Sequence, residues 1–542
     1  MPMEAHPALD GDCYLPARAG FEQHLAWLRG PSATMDFAAF EEELNARGED
    51  LKRRLCQGWL DERSRAEARE HARTPSPEGV AVRPHTRDLE ASFGRVSLRR
   101  LGHKVAGRPA SFPLDKQLNL PAKIYSHPLQ QRVVEEARDR SWDRAVERVD
   151  RTTAGHVPKR QAQQLAIHVT QDVDEFYKQR EAPKSTGNAA LLMGSMDCKG
   201  VRSLPGALRE ATRRAAAAEK ASAVRGDPMA RKKPRSHDKR MAAVAAAWEE
   251  EPLPRTASDI VSELSRMPKP KVMSGEVRKI ASQPQDEPAS VSVPELSKAS
   301  DDVSRSDRTP KAKGRKSRKA DHRPQNKRVW ASVKQGVSVT ATELFDEFDR
   351  RDPERVRKVG VLVDGDENQQ TAILEEQQKR GRVIVIILDI IHVIHYLWLA
   401  GYVLCRKDRK KTDLWVATHL LMLLSTPVAG VIAAIETAAA TRTLSARGLK
   451  SVNKALGYLR RNAPFLDYPT YLAQGFPIAT GVIEGACRHL IQDRLGITGA
   501  KWGLDGAEAM LRLRALYSSG DWDNYWRFHL KQEALRNYAP AA

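Results

Sequence analysis

The sequence predicts an α/β domain carrying an all-α insertion, preceded by a mainly helical region with a β-hairpin. Three observations predict it. β-Branched runs at 359–363 and 383–388 flank a helical stretch at about 367–379, the spacing of a crossover unit in a mostly parallel sheet. Residues 390 to about 470 read as helix after helix. Residues 90–113 alternate in polarity with glycine punctuation, as a hairpin does, inside a region otherwise patterned as helix.

In chain order, residues 1–85 form a charged N-terminal helical region, with Phe37, Phe40, Leu44, Leu51 and Leu55 near a 3.6-residue period. Residues 86–182 combine the hairpin with helices at about 127–139, 141–152 and 158–179. Thr152-Thr153-Ala154-Gly155-His156 is the turn before the last of these. That helix opens on Pro158, whose missing N–H costs nothing in a first turn. Lys159, Arg160 and Gln161 follow, a basic helix start that suits the second helix of a helix-turn-helix entering a major groove. An ordinary helical hairpin with a solvated basic end explains the same residues.

Residues 183–267 hold the apolar run 191–197, a turn at Lys199-Gly200 into a short strand at 201–204, a helix at about 204–222, a basic stretch at 231–239 and a short apolar run at 241–248. Residues 268–326 are rich in Ser, Pro, Lys and Asp, with almost no aromatics, and read as a disordered basic linker. Residues 327–389 resume the sheet domain, 390–472 form the all-α insertion, and 473–542 hold a further helix and a helical tail. In that tail Trp522, Tyr525, Trp526 and Phe528 follow helical spacing as core residues.

At 542 residues the chain exceeds one compact core, and length alone suggests about three to four structural units. Lys plus Arg number 89 against 69 Asp plus Glu, a net charge of +20 that suits an anionic polymer as partner. Five cysteines form no CxxC pair, so neither a zinc ribbon nor a disulfide framework is indicated, and a reducing cytoplasmic compartment is expected. No signal peptide pattern opens the chain. The stretch 383–405 approaches the length of a membrane span, but Asp389, His392 and His395 interrupt it; a buried strand followed by a buried helix is expected, and no membrane partner.

Three carboxylates stand out. Asp197 ends the apolar run LLMGSMD, Asp364 ends VGVLVD, and Glu484 is the acid of GVIEGACRHL, an amphipathic helix. The carboxyl ends of parallel strands are where open α/β sheets bind ligands. Acids on the first and fourth strands and on a helix after the fifth are the oxygen ligands that two Mg²⁺ or Mn²⁺ ions about 4 Å apart require. Each acid also has a plainer role: Asp197 in a hairpin turn, Asp364-Gly365-Asp366 as a strand-to-helix turn with Asp366 capping, and Glu484 paired with Arg488. Asp389, also at a strand end, and His392 are reserve candidates, with a core role the plainer one for His392 and His395. Arg488, His489, Arg494, Lys501 and Trp502 surround or follow Glu484. Arg488 and Lys501 are the phosphate candidates, and Trp502 is expected in the core.

The C-terminal run PIATGVIEGACRHLIQDRLGITGAKWGLDGAEAMLRLRALYSSGDWDNYWRFHL closely resembles bacterial insertion-sequence transposases of the ISKra type, a DDE family related to the Mutator group. VPKRQAQQLA, DVDEFY, MDCKGV, QNKRVWASV, VLVDGDENQ and LDIIHVIHYLW agree with it. The resemblance implies an RNase H-like catalytic domain with Asp197, Asp364 and Glu484 as an acidic triad binding two Mg²⁺ or Mn²⁺. It further implies cleavage and strand transfer at terminal inverted repeats, double-stranded DNA of element ends and target as partners, a homo-oligomer on DNA, and a nucleoid-associated location. Cys198 stands where the family usually has glycine and His395 where it has glutamate, and the 268–326 stretch lengthens the Asp197–Asp364 spacing. The alternative is a catalytically idle, transposase-derived DNA-binding protein.

Overall fold

The computed structural model describes residues 11–185, 190–224, 238–266, 323–479 and 481–538. The chain divides into two units, Met1–Arg180 with Glu508–Ala542, and Glu181–Ala507.

In the first unit, helices Leu15–Arg29 and Phe37–Arg73 precede an antiparallel pair, β1 (Val80–Ala91) and β2 (Gly94–Val105). The hairpin therefore overlaps the 90–113 expected but starts earlier, at Val80, and ends at Val105, and the expected boundary at residue 85 falls inside β1. β1 carries little strand signal in its residues because it is charged, contains Pro84 and keeps one face solvated, where proline is tolerated. β2 alternates cleanly, and Val96 and Leu98 pack with Leu60, Leu89 and Leu114 into a small core.

Helices His127–Asp139, Trp142–Thr152, Lys159–Val169 and Val173–Gln179 follow. The single helix expected at 158–179 is thus two, broken at Thr170–Asp172, where Thr170 turns its hydroxyl onto the Ala166 carbonyl at 2.8 Å. The C-terminal helix Trp522–Tyr538 belongs to this unit, burying Trp522, Tyr525 and Trp526 as expected, while Phe528 is only half-buried. Tyr525 meets the Phe176 ring edge-on at 5.5 Å, and Tyr177 donates to Asp521 at 3.0 Å. The tail expected as one segment at 473–542 is consequently divided between the two units.

The second unit is built on a five-stranded sheet, β3 (Leu191–Arg202), β4 (Lys239–Glu250), β5 (Gln325–Ser332), β6 (Val359–Val363) and β7 (Val385–Leu388), ordered β5-β4-β3-β6-β7. β4 runs antiparallel to β3 and β5; β6 and β7 run parallel to β3. Helix Val337–Arg351 covers one face so closely that a Cβ on Gly194 would stand 2.6 Å from the Phe348 ring. Helix Glu367–Arg380 joins β6 to β7. Helices Ile390–Leu404, Arg409–Ser425, Val428–Ala440, Ala446–Arg461 and Tyr468–Ala473 form the all-α insertion.

Two expectations change here. β3 runs unbroken through Lys199-Gly200, so there is no turn at that point and no separate strand at 201–204. The run at 241–248 is the core of β4, completely buried from Val244 to Trp248. Most of the linker expected at 268–326 and of the basic stretch at 231–239 lies outside the described residues. Among the described residues no helix is long and apolar enough to cross a membrane; 383–405 resolves into β7 and a helix capped by Asp389, which accepts from the Ile391 N–H at 2.8 Å.

Candidate active site

Strand register brings the acids together. Ser195 lies opposite Leu362 across β3 and β6, a pairing held by the Ser195 hydroxyl donating to the Leu362 carbonyl at 2.9 Å, and Val363 lies opposite Leu388 across β6 and β7. Two residues further along, Asp197 and Asp364 occupy the same level on neighbouring chains roughly 4.8 Å apart, and Asp389 stands one chain beyond Asp364.

The third acid arrives from across the helical insertion. Helix Gly481–Ala486 packs on β3 and β4 and widens into π-helical spacing over Cys487–Gln492, a feature often found at functional sites. Glu484 and Cys487, three apart, share one side of it. The Cys487 thiol donates to Asp197 Oδ2 at 3.1 Å, while Asp197 Oδ1 accepts from the Cys198 N–H at 2.6 Å. Both oxygens of Asp197 are thereby oriented.

Asp364 is half-buried, with Oδ1 accepting from the Asp366 N–H at 2.9 Å and its carbonyl accepting from the Tyr458 hydroxyl at 2.8 Å. Burial, then the charges of Asp197 and Asp366, push its carboxyl above the ordinary range, against the opposing effect of His392. Glu484 keeps exposed surface, yet local loss of water and the Asp197 charge push it up as well, with His392 and Lys199 opposing. Burial and the charges of Asp197, Asp366 and Asp364 push the Cys198 thiol up to about 12, so it is a neutral neighbour rather than a nucleophile. The cluster has more negative charge than nearby side chains neutralise, and its donors are hard oxygens. Hard oxygen donors suit Mg²⁺ or Mn²⁺, but among the described residues the ligand atoms of Asp197, Asp364 and Glu484 are not drawn together into one compact metal-holding group.

The reserve candidates separate. Asp389 is buried and holds the start of helix Ile390–Leu404, the capping role that Asp366 plays for helix Glu367–Arg380 by accepting from Gln369. His392 is not simply a core histidine: it lies within electrostatic reach of both Asp364 and Glu484, and its Nδ1 is buried without a hydrogen-bond partner. His395 is influenced by His392 and Lys454 instead. Lys199, Cys487 and Tyr458 were not foreseen as site residues. Lys199 had a legible signal, since two residues beyond Asp197 on one strand is the same face.

Of the expected DNA contacts, Lys159 pairs with Asp143 at 2.8 Å, Arg160 is exposed and Gln161 is half-buried, all in the first unit. Arg488 pairs with Asp493 at 3.6 Å and Lys501 is exposed. Arg494 is buried with its guanidinium 4.8 Å from the Trp502 ring, and Trp502 donates to the Leu495 carbonyl, so this pair is core as expected for Trp502.

Gly365 closes the site at φ +95°, and a Cβ there would stand 2.8 Å from the Tyr458 ring. Gly365→Ala is expected to lower stability by about 1–3 kcal/mol, read from the urea midpoint. An unchanged midpoint would mean that the turn is not strained.

A scan against protein-family models finds no match for this chain, and a search of curated proteins finds none.

Proposed function

We propose that the protein is a DDE transposase of the ISKra type, cutting and joining DNA at the terminal inverted repeats of an insertion sequence. The observation that carries this reading is the placement of Asp197 and Asp364 level with each other on neighbouring strands, with Glu484 within electrostatic reach of Asp197. The strand order supports an RNase H-like domain: acids on the first and fourth of its strands, then a helix after the fifth and a helical insertion.

Two Mg²⁺ or Mn²⁺ ions held by these carboxylates would supply Lewis-acid stabilisation of the attacking and leaving oxygens in an in-line phosphoryl displacement. The chain's own residues do the rest. Cys487 and the Cys198 amide hold the Asp197 carboxylate in one orientation, and Tyr458 and the Asp366 amide hold the turn that aims Asp364. Lys199 adds positive charge within electrostatic reach of Glu484, where it would favour a bound phosphate. His392, within electrostatic reach of both acids and with Nδ1 lacking a hydrogen-bond partner, is placed to contact a bound water.

Double-stranded DNA is the partner this reading assigns, bound in part by the net charge of +20, with the element ends held by a homo-oligomer in the nucleoid-bearing cytoplasm. Purified protein with labelled element ends is expected to nick and join them in Mg²⁺ or Mn²⁺ and to stop completely in chelator. DNA binding without cleavage in either metal would overturn the enzymatic reading and favour an idle DNA-binding protein.

A further inference from the structure

Within the first unit, helix Lys159–Val169 and the C-terminal helix Trp522–Tyr538 meet at His168, His529 and Glu533. Each offers one ligand atom, and those atoms all lie within 4.8 Å of one another. His529 and Glu533 are four apart on one helix, so both side chains leave the same face. Both are fully buried.

His529 has the arrangement of a preoriented ligand. Its Nδ1 lies 2.7 Å from Asp172 Oδ2, which fixes the proton on Nδ1 and leaves the lone pair on Nε2. That Nε2 is buried and has no hydrogen-bond partner. A carboxylate holding one nitrogen of a histidine while the other is left unpartnered is the outer-shell device that orients metal-binding imidazoles. A purely structural ion network has no need for the orphaned nitrogen, which costs desolvation without a return contact.

From this geometry we infer that His168, His529 and Glu533 form a second metal site, one that takes a borderline transition-metal ion, Zn²⁺ above all, and ties the C-terminal helix to the helices of the first unit. Two imidazoles and a carboxylate suit Zn²⁺ better than Mg²⁺. Four-coordinate zinc places its donors roughly 3.3 Å apart, so the observed spread closes with small side-chain movements. His168 Nε2 stands 3.2 Å from Glu533 Oε2 and its Nδ1 3.1 Å from Gln171 Nε2. To ligate through Nε2, His168 carries its proton on Nδ1 and donates it in a hydrogen bond to Gln171 Oε1 after the amide flips. His127, whose Nδ1 is also buried and unpartnered and which feels the charges of Glu533, His529 and His168, is the next donor at hand; otherwise a water completes the four.

The test equilibrates the full chain with Zn²⁺, removes free metal by desalting and counts retained zinc. A parallel sample with Co²⁺ is read by its visible absorption. To exclude the acidic cluster, the same measurement is made on Asp364→Asn. The expected result is about one zinc per chain in both, with an affinity at least tenfold weaker in His529→Gln and roughly 10–100-fold weaker in Asp172→Asn. His168→Gln, at a half-buried position, serves if His529→Gln does not fold, and the same tenfold loss is expected. Retention of less than a tenth of an equivalent by wild type, or equal retention by wild type and the histidine variants, would overturn the site. Loss of zinc in Asp364→Asn alone would overturn it too, by assigning the ion to the acidic cluster.

Discussion

Asp364→Asn is expected to lose metal-dependent cleavage and joining by a factor of roughly a thousand or more, about 4 kcal/mol of transition-state stabilisation, while binding element ends as wild type does. Asparagine keeps the shape of the side chain and its oxygen can still accept from the Asp366 N–H, so the turn through Gly365 persists. What disappears is one of the negative charges that a divalent cation would bridge. In the metal-free protein that charge is disfavoured by burial and by Asp197 and Asp366. The variant is therefore expected to be as stable as wild type or slightly more so, the usual relation between a charged site and the fold that carries it. Cleavage of labelled ends measures the first effect and urea unfolding the second. Cleavage at the wild-type rate would remove Asp364 from the site, and collapse of the fold would make its role structural.

The largest expected effect on stability lies away from the acids. Glu347, fully buried on helix Val337–Arg351, receives Arg351 at 2.6 Å and pairs with Arg350 and with Arg328 of β5. Burial alone would raise its pKa, but the charges of Arg328 and Arg351 and the hydrogen bond from Arg350 outweigh burial and hold the carboxyl well below the ordinary carboxylate range. Glu347→Gln leaves buried guanidinium charge without its counter-ion, which costs about 3–5 kcal/mol. The pH dependence has a definite sign. Because the folded pKa is depressed, this contribution is present in full above the unfolded value near 4.3 and is lost progressively as pH falls below it. The wild-type advantage over Glu347→Gln in urea midpoint is thus expected at pH 7 and to shrink below about pH 4. A constant difference across that range would assign the effect to packing instead of charge.

Much of the second unit was legible in its residues. β6 and β7 announce themselves through β-branched runs, and Asp366 and Asp389 through their positions just before helical spacing begins. β4 was not legible as a strand, because its core MAAVAAAW is mostly alanine, which is depleted in strands and lacks the branched side chains that mark them. It is a strand because β3 and β5 hydrogen-bond both its edges and the small side chains allow close cover, a tertiary demand that overrides propensity. β1 was hidden for the opposite reason, its polar solvent face masking the pairing with β2.

Among the site residues, Asp197, Asp364 and Glu484 could be singled out because each is a lone acid in or after an apolar run. Cys487 and Tyr458 could not be weighed in the same way, since their roles depend on which neighbours register and packing supply.

The sequence by itself determined the strand–helix–strand unit around Asp364, the helical insertion, the aromatic core of the C-terminal helix and the candidate acids, because these depend on local periodicity, capping and burial. Only the tertiary structure decided that Asp197 sits within an unbroken strand level with Asp364, and that Glu484 comes within electrostatic reach of Asp197. It alone brought His529 and Glu533 to His168. Those relations join residues far apart in the chain through strand register and helix packing, which no local pattern encodes.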